Sequence, residues 1–244
     1  MKLKIIIPSR KRADVLRNNS IKLFPKATIA VDKSEEKEYH AAFPKNEIVT
    51  HSGLTGLVQI RQWALDNFEG VLMMVDDDIK GMFSLVGQRY RRITDPEDIR
   101  QIVENTAQCA VDAGAGIFGF SQTGGDIRKV NVFDFIRLNG WIGCVIGFTD
   151  RSIKYDTRFR LHGDMDASMQ SLLQHRIIWQ DSRFAFANDG IFRWRGGNAE
   201  YRSKEVDDKE LELLLEKWGK HLSVVNLKGI KRIKLSVLRR TRIY

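Results

Sequence analysis

Short apolar runs alternate with amphipathic stretches through the first half of the chain. Leu3 to Ile7 is a short apolar run stopped by Pro8, the pattern of a buried parallel strand. Arg12 to Leu23 predicts a helix that Pro25 ends. Thr28 to Val31 predicts a second buried strand ending at Asp32, Glu35 to His40 a short polar helix, and Ile48-Val49 a brief third strand. Gly53-Leu54-Thr55-Gly56 opens a helix whose apolar positions (Leu54, Leu57, Val58, Leu65, Phe68) recur at helical spacing, closed by Gly70. Val71 to Val75 is unbroken and apolar, a central strand that terminates in Asp76-Asp77-Asp78.

A polar stretch follows, and Thr94-Asp95-Pro96-Glu97 then starts a helix with a capping residue just before a proline. Ile99, Ile102, Val103, Ala107 and Ala110 form its apolar face, and Gly114 closes it. Further strands are predicted at Ile117 to Phe120, within Gly140 to Phe148, and at Ile177 to Trp179, with a turn at Gly124-Gly125-Asp126 and a helix from Asp164 to Arg176. Leu211, Leu214, Leu215 and Trp218 mark a last amphipathic helix. Strand–helix alternation gives an α/β fold with a mostly parallel central sheet flanked by helices, a single domain with a basic helical C-terminal segment.

Composition permits this: 244 residues, 43% hydrophobic, are enough for one full core. No run approaches the ~20 apolar residues of a membrane span, and the apolar start is too short for a signal peptide, so a cytoplasmic protein is expected. Cys109 and Cys144 form no metal or disulfide pattern and read as two reduced, mostly buried thiols. The net charge of +9 is uneven. Lys217 to Tyr244 holds nine Lys or Arg and no acid, leaving 31 basic against 31 acidic residues elsewhere. A basic tail on a neutral body points to a polyanionic partner, either nucleic acid or an anionic membrane surface. The tail's Leu227, Ile230, Ile233, Leu235, Val237 and Leu238 also allow an amphipathic segment lying on a membrane.

Three adjacent carboxylates at the end of a buried strand repel one another unless a cation neutralises them. In open α/β sheets ligands gather at the carboxyl ends of strands. Asp76 and Asp78, two apart, project to the same side in extended geometry. Oxygen ligands of this kind suit Mg²⁺ or Mn²⁺ completed by substrate phosphates.

Taken in order, a strand ending in Pro8-Ser9-Arg10, a strand ending in Asp32, a helix carrying Arg61, and a strand ending in Asp76-Asp77-Asp78 resemble the donor half of GT-A glycosyltransferases, whose DxD motif the last would be. The resemblance runs over roughly residues 3 to 195. It implies a catalytic domain over about 1–205, donor half to about 120 and acceptor half from 121, then a C-terminal helix and tail at 206–244. It also implies a nucleotide-sugar donor, a UDP-sugar first among them, and Mn²⁺ or Mg²⁺. Pro8, Ser9, Arg10, Arg12 and Asp77 fall at the donor; Asp32 would meet the nucleobase, Arg61 the pyrophosphate, and Asp76 the ribose, with Asp76 and Asp78 on the metal. His162-Gly163-Asp164-Met165-Asp166 resembles the stretch that opens the acceptor-side helix, with Gly163 in place of the usual Glu. Asp164, or in another register Asp166, would then be the catalytic base of an inverting enzyme. A late histidine ligand has no counterpart, Asn188, Asp189 and Asn198 lying only in the general region; His162 and His175 read as packing or surface residues.

Within that fold, Pro8-Ser9-Arg10-Lys11-Arg12-Ala13-Asp14 and Val75-Asp76-Asp77-Asp78-Ile79 are similar to TET-associated and other phage DNA glycosyltransferases, which implies hydroxymethylated pyrimidines in DNA as acceptor and a host cytoplasm as location. Arginines interleaved with aromatics suit phosphate contact and base stacking. Arg89, Arg91, Arg92, Trp141, Arg193, Trp194 and Arg195 are the acceptor candidates. A glycan- or lipid-directed glycosyltransferase, a nucleotidyltransferase and a non-catalytic nucleic-acid module are the competing classes; the strand-end aspartates disfavour the last, since they repel phosphate.

Overall fold

The computed structural model describes residues 2–86, 90–122, 134–188, 203–227 and 230–237. Gly124 to Asp126, Arg89, Asp189, Arg193, Trp194, Arg195 and Asn198 lie outside the described residues.

The strands are β1 (Leu3–Pro8), β2 (Thr28–Asp32), β3 (Ile48–His51), β4 (Val71–Val75), β5 (Ile79–Ser84), β6 (Arg91–Ile93), β7 (Ile117–Gln122), β8 (Ile136–Arg137), β9 (Val145–Phe148) and β10 (Trp179–Asn188). They form one sheet in the order β3-β2-β1-β4-β9-β7-β10-β5-β6, with β8 paired to β10. β3, β2, β1, β4, β7 and β10 run in one direction, while β9 and β5 run against them. Chain order reverses between β1 and β4, which opens a crevice at their carboxyl ends.

Two apolar clusters cover the two faces. Neighbouring residues divide between them because side chains alternate along a strand. Ile7, Met73 and Val75 face α1 (Ala13–Asn18), α2 (Ser20–Leu23), α3 (Glu36–Ala42) and α5 (Pro96–Asp112). Ile6, Leu72 and Met74 face α4 (Leu57–Asn67), α6 (Gly163–Gln174) and α7 (Lys204–Trp218). Each fully buried side chain of this kind contributes about 1.5–3 kcal/mol. Asp95 caps α5 as expected, its carboxylate accepting the Glu97 amide at 2.8 Å ahead of Pro96. β9 fits between β4 and β7 because Gly147 stands opposite Phe118; a Cβ there would come within 2.1 Å of that ring.

Four expectations from sequence need correction. The helix from Arg12 to Leu23 is two helices, broken at Asn19, whose amide donates to Val15 O at 2.8 Å in competition with the helical ladder. The polar stretch after the triple aspartate contains β5 and β6, and the strand placed at Ile177 to Trp179 begins only at Trp179 and extends to Asn188. Cys109 is exposed; Cys144 is buried. Among the described residues the basic tail beyond α7 is not helical: β11 (Leu222–Leu227) and β12 (Ile230–Leu235) form an antiparallel hairpin. Ile233, Leu235 and Val237 pack against the α4–α6–α7 cluster while Lys234 and Ser236 are exposed, so these three apolar side chains serve the core. Among the described residues no helix is long and apolar enough to cross a membrane.

Candidate active site

The crevice is built by the turn after β1, the turn after β4, and the start of α6. In the β4 turn the three aspartates separate. Asp77 is 1% exposed and points inward, where Arg12 reaches it through Nη2 at 2.5 Å and Nε at 3.1 Å. Ser9 Oγ adds a third hydrogen bond at 2.8 Å and lies 2.8 Å from the Tyr39 hydroxyl. Burial pushes the Asp77 carboxyl up to about 7 against the pull of Arg12 and Ser9. Ser9, Arg12 and Asp77, all expected at the donor, are thus engaged with one another beneath the turn. The backbone after β1 is held there too, with Lys11 in a left-handed conformation (φ 54°) and its amide on Glu35 Oε2 at 2.6 Å.

Asp76 and Asp78 flank the buried residue and are half-buried. Arg61, 4% exposed on α4, donates from Nη2 to Asp76 Oδ1 at 2.6 Å. Burial works against the Arg61 charge, but Tyr155, Asp76, Asp164 and Cys144 around it hold its guanidinium above the ordinary value. The Arg61 Nε and the Tyr155 hydroxyl, both buried, lack a well-formed hydrogen-bond partner. Burial, and then Asp76 and Asp78, push the Cys144 thiol well up, so it stays protonated.

Asp164 opens α6 beside this group. Burial raises its carboxyl above the ordinary value, with Arg61 as the largest opposing influence. Gly143 lies against it: a Cβ there would stand 3.0 Å from Asp164 Oδ2 and 2.7 Å from the Gln122 side-chain amide. Turned to accept, the Gln122 oxygen takes Gly143 N at 2.7 Å and Cys144 N at 3.1 Å. Asp166 is elsewhere: fully buried, it accepts from Trp218 Nε1 at 2.8 Å, Gln170 Nε2 at 2.9 Å and Lys217 Nζ at 2.7 Å. The alternative register for the base is therefore set aside, because Asp166 faces α7 and no acceptor can reach it.

At the far end of the crevice Asp32 binds the Ser34 amide and hydroxyl at 3.0 and 2.7 Å. It is paired in register with His51, whose Nδ1 is 3.8 Å from Asp32 Oδ2. His51 is 4% exposed and neither ring nitrogen makes a hydrogen bond; burial lowers its pKa, opposed by Asp32 and aided by Arg10. Sequence reading missed His51. Its position at the end of the strand beside Asp32 was the available signal. His162 and His175 pair with Asp207 and Asp150 at 3.0 and 2.7 Å, as surface or packing histidines do.

Among the acceptor candidates, Trp141 is exposed two residues before Gly143. Arg91 is not brought to the crevice, whereas the Arg92 guanidinium turns back along β5 and donates to Lys80 O at 2.7 Å, two residues from Asp78. Both sit on edge strand β6, with Arg91 opposite Ser84 at the end of β5 away from the aspartates. The described residues contain no cluster of three or more metal-type ligands. The residues present therefore fit Mg²⁺ or Mn²⁺ only as a two-carboxylate site, Asp76 with Asp78, completed by a ligand's phosphates.

A reversing α/β sheet with carboxylates at the switch point is the GT-A type of fold, which suits both glycosyltransferases and nucleotidyltransferases. The family model described as TET-Associated Glycosyltransferase matches residues 3–197, and the chain belongs to that family. No curated protein matches the chain significantly. Among solved structures it is similar to Staphylococcus aureus TarS 1–349 in complex with UDP-GlcNAc, with 12% identity, a TM-score of 0.53, and coverage of 94% of this chain and 68% of that one. It is also similar to the mannosyltransferase PcManGT from Pyrobaculum calidifontis in complex with GDP-Man and Mn²⁺, with 12% identity, a TM-score of 0.51, and coverage of 81% and 59%. The chain spans 60% and 41% of two further TarS chains. These likenesses concern the fold.

Proposed function

We propose that this glycosyltransferase moves a sugar from a nucleotide-sugar donor, with Mn²⁺ or Mg²⁺ at Asp76 and Asp78, onto hydroxymethylated pyrimidines in DNA. The observation that carries the reading is the division of the triple aspartate: the middle carboxylate is buried on Arg12, while the outer two are half-buried in the crevice with Arg61 beneath.

In this reading Asp32 and His51 form the nucleobase end of the crevice, with Arg10 beside them. Asp76 meets the ribose and, with Asp78, holds the cation. A divalent ion there neutralises charge developing on the leaving diphosphate. Arg61 fixes Asp76 and adds a buried positive charge. Asp164 takes the proton from the acceptor hydroxyl as that oxygen attacks the anomeric carbon; its raised pKa makes it the stronger base. Exposed Trp141 offers an aromatic face beside Gly143 for an extruded base. The GT-A catalytic domain runs to about residue 205 and the C-terminal element follows.

DNA as acceptor is supported by the family match and by the +9 charge concentrated late in the chain. The packing of Ile233, Leu235 and Val237 gives three of the tail's apolar residues a role in the core and so favours DNA over a membrane-bound acceptor. Calorimetry of UDP- and GDP-sugars with Mn²⁺ or Mg²⁺ comes first, followed by transfer to hydroxymethylated DNA. Metal-dependent binding of one donor and labelling of that DNA are expected. Binding without transfer to DNA rejects the acceptor, and no metal dependence rejects the Asp76–Asp78 site.

A further inference from the structure

α7 begins after the family-matched residues end, yet one of its faces is bonded to the segment that carries Asp164. Glu210 is 5% exposed in the middle of that face. Its Oε1 accepts the Arg160 amide at 2.7 Å, and its Oε2 accepts the amides of Leu161 and His162 at 2.9 and 3.0 Å. Three consecutive backbone N–H groups therefore converge on one carboxylate, immediately before α6.

Other contacts clamp the same helix end. Asp207, three residues before Glu210, receives His162 Nε2 at 3.0 Å. Lys217 and Trp218 hold Asp166 at 2.7 and 2.8 Å, two residues beyond Asp164. His162 precedes α6 without a side-chain cap of its own. The direction in which α6 starts, and with it the position of Asp164, is thus set by a carboxylate on another helix. A general base must sit within hydrogen-bond reach of its proton, and a displacement of ~1 Å can cost about 10²-fold in rate.

We propose that Glu210 is a positioning residue for the transfer step: it fixes the backbone of 160–162 and so aims Asp164 at the acceptor hydroxyl. This rests on the reading of Asp164 as the base. Glu210 itself touches neither the β4 aspartates nor Asp164 through any of these bonds, and acts through the chain it holds. A glutamine at this position keeps the shape but offers one acceptor oxygen and turns an NH₂ group against the remaining amides. An aspartate keeps the charge and is one methylene too short to span all three.

The test uses the full chain with Glu210→Gln and Glu210→Asp. Carboxyl NMR titration follows Asp164, and amide exchange follows residues 160–166. In the unaltered protein Asp164 titrates above the ordinary carboxylate range. In Glu210→Gln, exchange at Leu161 and His162 accelerates by roughly tenfold or more, as expected when hydrogen bonds to a charged acceptor are lost. The Asp164 titration then moves down toward the ordinary range as water reaches it, with Glu210→Asp intermediate. An elevated Asp164 titration left untouched in both variants overturns the positioning role alone. Transfer that persists in Asp164→Asn overturns the base reading, and the proposal with it. If Glu210→Gln fails to fold, the Glu210→Asp comparison decides.

Discussion

Arg61 and Asp76 are joined by a 2.6 Å hydrogen bond in which the guanidinium is almost entirely buried and the carboxylate is half exposed to the crevice. The charge on Arg61 also reaches Asp164, whose pKa it lowers against the effect of burial. Replacing it therefore has a signed consequence. In Arg61→Leu the Asp164 carboxyl loses its largest stabilising charge, so its pKa rises further and the acidic limb of the pH–rate profile moves to higher pH. Stability falls by less than the ~3–5 kcal/mol lost when a fully buried charge is left unpaired, because the remaining carboxylate of Asp76 is partly exposed. A limb that stays or moves down, measured alongside thermal unfolding, refutes the coupling.

Asp77 and Asp78 are adjacent, yet their variants should fail differently. Asp77→Ala leaves Arg12 without its carboxylate and lowers stability by about 3 kcal/mol or more. Asp78→Ala abolishes metal-dependent donor binding and costs less stability than Asp77→Ala, because Asp78 is half-buried where Asp77 is 1% exposed. Equal losses of stability, or donor turnover that persists in Asp78→Ala with chelator present, would contradict the division of roles.

Asp164→Asn keeps the size of the side chain and removes its basicity. Donor binding by calorimetry should be unchanged, and transfer should fall by about 10²–10⁴-fold. In the unaltered enzyme the acidic limb should lie above the ordinary carboxylate range, because a base with a raised pKa is protonated, and idle, at a higher pH. Loss of donor binding in step with transfer would indicate a structural role instead.

Gly143→Ala places a methyl group against the Gln122 amide and Asp164 Oδ2. Both are side-chain ends and can move, so the chain should fold with a loss of about 1–3 kcal/mol and transfer should drop more than donor affinity. An unchanged kcat would mean that Asp164 does not depend on this contact.

Truncation after Lys228 removes β12 and the inward residues Ile233, Leu235 and Val237. The unfolding temperature should fall, so any loss of DNA binding must be compared with that of an untruncated chain carrying the exposed-site changes Lys220→Gln and Lys234→Gln. If the basic segment contacts phosphate, that chain keeps its stability and shows a shallower salt dependence. An unchanged slope excludes the contact.

Much of the donor side was legible in sequence because it rests on local patterns. Val71 to Val75 could only be a buried strand, and Asp95-Pro96 announced the start of α5. The pairing of Asp77 with Arg12 was not legible: adjacency in sequence groups the three aspartates, whereas the turn after β4 sends the middle one to a partner 65 residues away. Arg91 looked close to the site for the same reason, and β5 carries it to the far end of that strand, opposite Ser84. The choice between Asp164 and Asp166 depended on Lys217 and Trp218, contacts more than 50 residues distant. The hairpin was missed because a basic tail with spaced apolar residues suits either a helix or a strand until its packing partner is known.

β9 touches both reacting ends of the molecule. Cys144, at its entry, accepts the Asp76 amide at 2.9 Å, and Gly143 just before it lies against Asp164. The same strand is pinned over Phe118 by a glycine that admits no side chain. Asp76 and Asp164, the two carboxylates that the proposed function sets on either side of a substrate, are thereby geared to one short, stiff ribbon, so neither can drift without carrying the other along. An insertion or deletion between Gly143 and Phe148 would strip that gearing while leaving each carboxylate chemically intact.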